Sequence, residues 1–276
     1  MLQGLENRFT AVERVFDLLS VEQESGHEGT NFSLEALEEA DASTFSVTNL
    51  FCRYSEFSPP VINGISFELN AGILTGVCGR SGSGKSTLAL AISRCMDFID
   101  GRMELCGINA FKIPVQIYRK LVQVFPQDSY ILSGSVRDYL DPYSIFSESK
   151  IHSVLVALNA AIQKDPVHHV SVGMVILDGG GNLSAGQKQI LALARASLAV
   201  DAKVVILDEI TSNMDLHVGR LALQIVKNEL LSRNIAVLLI AHVLQDILSC
   251  DNVLVMSAGE IVERSEPREL SERKNN

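Results

Sequence analysis

Residues 73–87 read ILTGVCGRSGSGKST and decide the fold of this 276-residue chain. The stretch opens with an apolar run, Ile73–Val77, which is typical of a buried strand. Residues 79–86 then match the pattern G-x-x-x-x-G-K-[ST], and a helical stretch, Thr87–Arg94, follows. This order predicts a phosphate-binding loop, because the glycines let backbone N–H groups turn inward and the helix presents its positive end to an anion.

The side chains of the loop support the same interpretation. Lys85 supplies a point charge for the β- and γ-phosphate oxygens, and the Ser86 hydroxyl is a suitable ligand for Mg²⁺. An ordinary glycine-rich turn is the alternative, but a chance match is expected on the order of once in a hundred chains of this length. The residues that we expect to contact the nucleotide here are Gly79, Arg80, Ser81, Gly82, Ser83, Gly84, Lys85, Ser86 and Thr87.

Two acidic residues follow a buried strand further along the chain. Asp208 and Glu209 come directly after the apolar run Val204–Leu207, which is typical of a parallel strand covered on both faces. Ligands of such sheets bind beyond the carboxyl ends of the strands, so both carboxylates are predicted to lie beside the phosphates. Asp208 is suited to hold Mg²⁺ and Glu209 to orient and polarise the attacking water. Taken alone, the pair could also be a charged strand exit without a function.

Two further polar residues occupy corresponding positions after apolar strands. His242 follows Ala236–Ala241 and is predicted to donate a hydrogen bond to the γ-phosphate. Gln127 follows Val122–Phe125 and is predicted to sense both the γ-phosphate and Mg²⁺. A histidine with a merely structural role at the strand end is the simpler alternative for His242, and Gln127 taken alone is a weak signal.

A second anion site is indicated outside the phosphate loop. Ser184 and Gln187 have the spacing of a capping box, which predicts a helix start. The glycines 179–181 before it should leave the exposed N–H groups and the positive dipole end unobstructed. A well-capped helix alone would explain the pattern, but an open anion site here suggests a phosphate delivered by another subunit.

Composition excludes several classes of protein. A hydrophobic share of 47% excludes disorder and collagen, and no apolar run approaches the roughly 20 residues of a membrane span. The net charge of −10 argues against a nucleic-acid binder. Residues 1–43 hold ten acidic residues and two arginines, so the remainder is nearly neutral and can host a phosphate site. Without a signal-peptide pattern we expect the chain to stay in the cytosol, and its five cysteines to be reduced, packed thiols.

The chain is predicted to have two parts. Residues 1–43 combine an amphipathic helix over 5–19 with an acidic linker. Residues 44–276 form one domain, which begins with short β-type runs and continues with strands that alternate with helices. A helical subdomain over about 130–200 interrupts this alternation, with helices at His152–Ile162 and Gln187–Leu198.

These residues, taken together, resemble the nucleotide-binding domain of ABC proteins over residues from about 44 to 270. Finer features resemble the second ATP-binding domain of C-subfamily exporters of the multidrug-resistance-associated type, among them residues 125–128, 140–142 and 181–184. Residues 1–25 resemble the segment that joins the membrane domain to that second domain. The elements that carry the family resemblance are Tyr54, Gly79–Ser86, Gln127, Leu183–Gln187, Asp208, Glu209, Asp215 and His242.

The resemblance implies an α/β P-loop NTPase fold: a RecA-like core sheet, an N-terminal antiparallel β subdomain and an inserted helical subdomain. It implies ATP and Mg²⁺ as cofactors. Tyr54 would stack on adenine, whereas Ser184, Gly186 and Gln187 would close over ATP held by a second nucleotide-binding domain. Residues 212–215 would link the two sites. Ala185, Lys188 and Val243 depart from the commonest family pattern.

The leading functional hypothesis is therefore an ATPase domain at the cytosolic face of a membrane that powers an ABC exporter. Its transmembrane domains would come from a separate chain or a missing upstream part. A soluble ABC-type ATPase acting on nucleic acid or ribosomes is one alternative, although the sequence shows no basic patch or tandem domain. A fragment of a longer gene without activity of its own is the other.

Overall fold

The computed structural model describes residues 12, 14–20, 45–127, 130–162, 169–199, 201–212, 214–242 and 244–267. Residues 14–20 are helical, and the exposed fractions of Phe16 and Leu19 there are 66% and 75%. The rest of the predicted helix over 5–19, the linker, Asn213 and Val243 lie outside the described residues. Within those ranges, no helix combines the length and the apolar character that a membrane crossing requires.

A six-stranded sheet forms the centre of the fold. Its strands are β3 (Leu74–Gly79), β6 (Val122–Phe125), β9 (Val204–Asp208), β10 (Ala236–Ile240), β11 (Asn252–Ser257) and β12 (Glu260–Ser265). They lie in the order β12-β11-β3-β10-β9-β6. The pairs between β11, β3, β10, β9 and β6 are parallel, and β12 is antiparallel to β11.

A second, four-stranded sheet has the order β2-β1-β4-β5, and all its pairs are antiparallel. This sheet is the antiparallel β subdomain that the family resemblance implied. Its strands are β1 (Phe45–Arg53), β2 (Ile62–Leu69), β4 (Phe98–Leu105) and β5 (Ile108–Asn109).

The side chains of the central strands alternate between two hydrophobic cores. On one face, Val205 and Leu207 pack with the helices of the second half of the chain. On the other, Val204 and Ile206 pack with the antiparallel sheet and the helix after the phosphate loop. Burial on both faces explains why these strands read as continuous apolar runs rather than as alternating patterns.

The helical subdomain is largely as predicted, with one difference. It also contains a two-stranded antiparallel sheet, formed by β7 (Gly134–Ser135) and β8 (Val175–Ile176). Strands of two residues carry no periodicity, so the sequence pattern could not indicate them. Besides the helical residues 14–20, the α-helices of the described residues are α1 (Lys85–Ile92), α2 (Val115–Leu121), α3 (Val136–Leu140), α4 (Glu148–Ile162), α5 (Ala185–Ser197), α6 (Leu216–Leu231) and α7 (Leu244–Ile247).

Candidate functional site

The predicted phosphate loop connects β3 to α1 at the carboxyl edge of the central sheet. Gly82 and Gly84 have φ angles of 79° and 101°, which L-residues with a side chain rarely adopt. A Cβ at Gly79 would lie 2.3 Å from the Met256 carbonyl oxygen, whereas one at Gly82 would meet no atom within 4 Å. The loop is therefore packed tightly where it leaves the strand and open where an anion would approach.

Lys85 is oriented by the loop itself. Its ammonium Nζ donates to the carbonyl oxygens of Gly79, at 2.9 Å, and Arg80, at 3.2 Å. The residue is only 5% exposed, so its charge is held at the base of the loop rather than in solvent. The Ser83 hydroxyl is also buried in the loop and has no hydrogen-bond partner within the described part of the chain.

The carboxylate of Asp208 lies beside the start of α1. The Ser86 hydroxyl hydrogen-bonds to it, and Lys85 and His242 act on it as neighbouring charges. Burial and then the adjacent Glu209 carboxylate raise the pKa of Asp208, while Ser86, Lys85 and His242 oppose that rise. The buried Oδ1 atom finds no partner among the described residues. An unpaired carboxylate oxygen next to a hydroxyl fits a hard divalent cation such as Mg²⁺.

Glu209 and His242 form a direct pair. The imidazole Nε2 lies 2.5 Å from the Glu209 carboxylate Oε1, and it donates the hydrogen bond because an ionised carboxylate only accepts. Glu209 has a φ angle of 51°, and its backbone N–H donates to the Ile240 carbonyl at 3.0 Å. This strained conformation at the strand exit turns the carboxylate towards the residue that follows the neighbouring strand.

Strand register explains why Gln127 belongs to the same edge. Phe125 of β6 pairs with Leu207 of β9, so Gln127 and Glu209 each come two residues after a paired position. Ile240 of β10 pairs with Asp208, which brings His242 to the same level. Gln127 itself is exposed. The register thus places all three strand-end residues at one edge of the sheet, where Glu209 and His242 are in direct contact.

Tyr54 follows β1 of the antiparallel sheet, yet it reaches the helix of the phosphate loop. Its hydroxyl lies 2.9 Å from the Thr87 Oγ1, within hydrogen-bond distance. Tyr54 is 59% exposed and Thr87 is 5% exposed. An aromatic ring is therefore anchored beside the loop with most of its surface accessible to a ligand.

The helix start that Ser184 and Gln187 predicted is present, at the beginning of α5. Ser184 and Gln187 make a complete capping box: the Ser184 hydroxyl accepts from the Gln187 N–H at 3.3 Å, and the Gln187 Oε1 accepts from the Ser184 N–H at 2.8 Å. Ser184 is exposed and Gly186 half-buried, whereas Gln187 is buried and holds the helix start. Helix α5 packs on α3, α4 and α6, whereas α1 packs on β3 and β9. The main packing partners of α5 are thus other helices, and α1 is not among them.

Two residues of structural importance near these sites were given no individual role from the sequence. Arg94 is buried after α1 and donates to the carbonyl oxygens of Ala110, at 3.0 Å, and Ile113, at 2.7 Å. Asn182 precedes α5 and bridges backbone groups of Val175 and Leu177. The hydrogen bonds of both residues depend on tertiary or turn geometry, and no local sequence signal indicates them.

The parallel sheet, the glycine-rich loop before α1 and the acidic strand end define the chain as a P-loop NTPase. The family model for ABC transporters matches residues 62–212, more than half of the chain. The chain therefore belongs to the ABC transporter family, and its part in that family is the nucleotide-binding domain, an ATP-binding domain of the ATPase type.

Curated relatives agree with the resemblance to the C subfamily. The chain is 32% identical to the ABC transporter ATP-binding protein/permease VMR1 of Saccharomyces cerevisiae, over 96% of this chain and 18% of that protein. It is 33% identical to the rat (Rattus norvegicus) ATP-binding cassette sub-family C member 8, over 99% of this chain and 17% of that protein. The chain thus spans less than a fifth of the length of these relatives.

Among solved structures, a bacterial Atm1-family ABC exporter with ATP bound superimposes with a TM-score of 0.80 at 22% identity. The match covers 98% of this chain and 46% of that chain. At this identity the likeness confirms the fold.

Proposed function

We propose that the chain binds and hydrolyses ATP to power transport across a membrane, as one nucleotide-binding domain of an exporter of the C subfamily. Within the two-part organisation predicted from the sequence, the domain over 44–276 would do this work. The observation that carries the proposal is the Glu209–His242 pair beside Asp208 and Lys85, because it combines the groups for phosphoryl transfer to water at one sheet edge.

Each of these side chains has a distinct task in the proposed reaction. Lys85 exchanges its bonds to the loop carbonyls for phosphate oxygens, and the open face at Gly82 admits the phosphates. Glu209 orients the attacking water and accepts a proton from it as the general base. His242 holds the Glu209 carboxylate in place and, being 45% exposed at its side chain, can turn its Nε2–H to the γ-phosphate. Tyr54 stacks on the adenine.

Ser86, Asp208 and Gln127 are the residues that we propose to hold Mg²⁺. A bound Mg²⁺ would neutralise charge on the β- and γ-phosphate oxygens. The unpaired Oδ1 atom of Asp208 supports this assignment, because a buried carboxylate oxygen without a hydrogen bond is costly unless a ligand compensates it.

The separate position of the α5 start supports a shared site. Ser184 is exposed and Gly186 half-buried at a capped helix N-terminus, and their helix packs mainly on α3, α4 and α6 rather than on α1. We therefore propose that they cover ATP held by a second nucleotide-binding domain, while the partner's equivalent covers ATP here. Transmembrane domains, from a separate chain or upstream sequence, would complete the exporter and place this domain at the cytosolic face of the membrane.

A truncated or soluble ABC-type ATPase without transport activity is the second candidate. The small share of the relatives that the chain spans is the observation behind it. The two candidates differ in whether a transmembrane partner is recovered with the chain by pull-down from membranes.

The ATPase assignment is tested by Glu209→Gln. The variant should keep its calorimetric affinity for Mg-ATP within about twofold and lose about 100-fold or more of its steady-state hydrolysis, the range of general-base catalysis. Glu229→Gln is the matched control. Glu229 lies on α6 and its carboxylate pairs with the Lys150 ammonium at 2.5 Å, so this substitution should leave hydrolysis unchanged. Wild-type turnover per molecule should rise with protein concentration. Unchanged hydrolysis in Glu209→Gln would refute the assignment.

A further inference from the structure

Both the oxygen and the nitrogen of the Asn182 side-chain amide form hydrogen bonds that close the turn leading into α5. Its Oδ1 accepts from the Leu177 N–H at 2.9 Å, and its Nδ2 donates to the Val175 carbonyl at 2.8 Å. The amide therefore ties the chain just before Leu183 back to strand β8. Asn182 is itself exposed, so it stabilises the turn through its hydrogen bonds rather than through burial of its side chain.

The turn that Asn182 closes would otherwise be loosely defined. Gly179 and Gly180 have φ angles of 59° and 67°, and glycine loses more backbone freedom on folding than any other residue. The turn also contains backbone bonds from the Gly180 N–H to the Leu177 carbonyl, at 2.8 Å, from the Gly181 N–H to the Asp178 carbonyl, at 3.1 Å, and from the Leu183 N–H to the Gly180 carbonyl, at 3.0 Å, and Lys188 Nζ donates to the Gly179 carbonyl at 3.3 Å. The bond of Leu183 ends on Gly180, within the turn itself, whereas the Asn182 amide connects the residues before α5 to Val175 of strand β8.

Strand β8 gives Asn182 a rigid anchor. It pairs with β7 in register, Gly134 with Ile176 and Ser135 with Val175. The Val136 N–H extends the ladder by donating to the Met174 carbonyl at 2.9 Å. Asn182 thus connects the two-stranded sheet of β7 and β8, whose first strand begins seven residues after Gln127, to the segment that holds the exposed Ser184.

We propose that Asn182 is a positioning residue that fixes Ser184 and Gly186 in the orientation needed to cover a nucleotide on a second domain. The proposal rests on the proposed function, since it requires the shared site. It assigns to Asn182 an effect on association between domains and none on the chain's own phosphate loop, because Asn182 bonds only within residues 175–182.

Asn159 offers a matched control in the same subdomain. Its Nδ2 donates to the Val170 carbonyl at 2.8 Å and its Oδ1 accepts from the Val170 N–H at 2.9 Å, so the amide makes the same two kinds of bond. Asn159 is 4% exposed and holds Val170 to α4, away from the α5 start. An Asn-to-Asp change at either residue replaces the donor by an acceptor that faces a carbonyl oxygen.

The test compares Asn182→Asp, Asn182→Ala and Asn159→Asp in the full chain carrying Glu209→Gln. Sedimentation velocity with and without Mg-ATP measures dimer formation, and calorimetry measures the affinity of each chain for Mg-ATP. We expect both Asn182 variants to bind Mg-ATP within about twofold of the parent and to dimerise about 30-fold more weakly, the factor that corresponds to the loss of two neutral hydrogen bonds. Asn159→Asp should melt at a lower temperature than the Asn182 variants and still dimerise like the parent.

Each other outcome overturns the proposal. Asn182 variants that dimerise like the parent would exclude the positioning role and leave the proposed function intact. Equal loss of dimerisation in Asn159→Asp, or loss of Mg-ATP affinity in both Asn182 variants, would show a general structural effect instead. A parent chain that binds Mg-ATP but never dimerises would refute the shared site itself, and the role of Asn182 with it.

Discussion

Tyr54 offers a quantitative test of how the base of the nucleotide is bound. The ring is 59% exposed and is anchored by a single hydroxyl contact, 2.9 Å from Thr87 Oγ1. Stacking of a base on an aromatic side chain contributes about 1–3 kcal/mol, so Tyr54→Ala should weaken Mg-ATP binding about 5- to 150-fold. Tyr54→Phe keeps the ring and loses one partly exposed hydrogen bond, so it should cost about threefold.

Calorimetric titration with two ligands separates the base from the phosphates. Mg-ATP should show the order wild type, Tyr54→Phe, Tyr54→Ala, from tightest to weakest. Magnesium tripolyphosphate has no base, so its affinity should be the same in all three proteins. Tyr143→Ala is the matched control, because Tyr143 has a similar exposed fraction, 64%, and its ring lies 5.2 Å from Nζ of Lys120 on α2.

Two results would refute the reasoning about Tyr54. If Tyr54→Ala binds Mg-ATP as tightly as wild type, the ring does not stack on the base. If its affinity for tripolyphosphate falls by the same factor as for ATP, Tyr54 acts by supporting α1 through Thr87 rather than by contacting adenine.

Two further predictions concern stability. Arg94→Met leaves the carbonyls of Ala110 and Ile113 without their donor, so urea denaturation should show a loss of about 2–6 kcal/mol in the free energy of unfolding. Arg102→Met, which breaks an ion pair whose arginine is 65% exposed, should cost no more than about 1 kcal/mol, and equal losses would contradict the burial argument. Burial raises the pKa of Cys250 from its ordinary value of 9.0 to about 12. As the pH rises, the thiol therefore ionises first in the unfolded chain, which lowers the free energy of unfolding. The contribution of Cys250 to the stability of the folded state is complete below pH 9 and is lost between pH 9 and 12. Cys250→Ala should therefore show a shallower loss of unfolding free energy between pH 9 and 11, and an unchanged slope would show that this thiol does not titrate as burial requires.

The predicted strands and helices were recovered where the sequence carries a strong local pattern. Val204–Leu207 and Ala236–Ile240 are strands, because apolar runs of this length fit a sheet buried on both faces. The start of α5 is the capping box that Ser184 and Gln187 predicted. The two-residue strands β7 and β8 were missed, since their pairing joins residues 134–135 to 175–176 and leaves no periodic trace.

The sequence by itself determined the class of protein, the phosphate loop and the carboxylates at the end of β9. These features depend on neighbouring residues and on a general rule, that ligands gather at the carboxyl edge of a parallel sheet. Tertiary structure alone decided which groups meet: Tyr54 with Thr87 and Glu209 with His242. Each pair joins residues more than 30 positions apart, so its geometry follows from strand register and packing, which a local pattern does not encode.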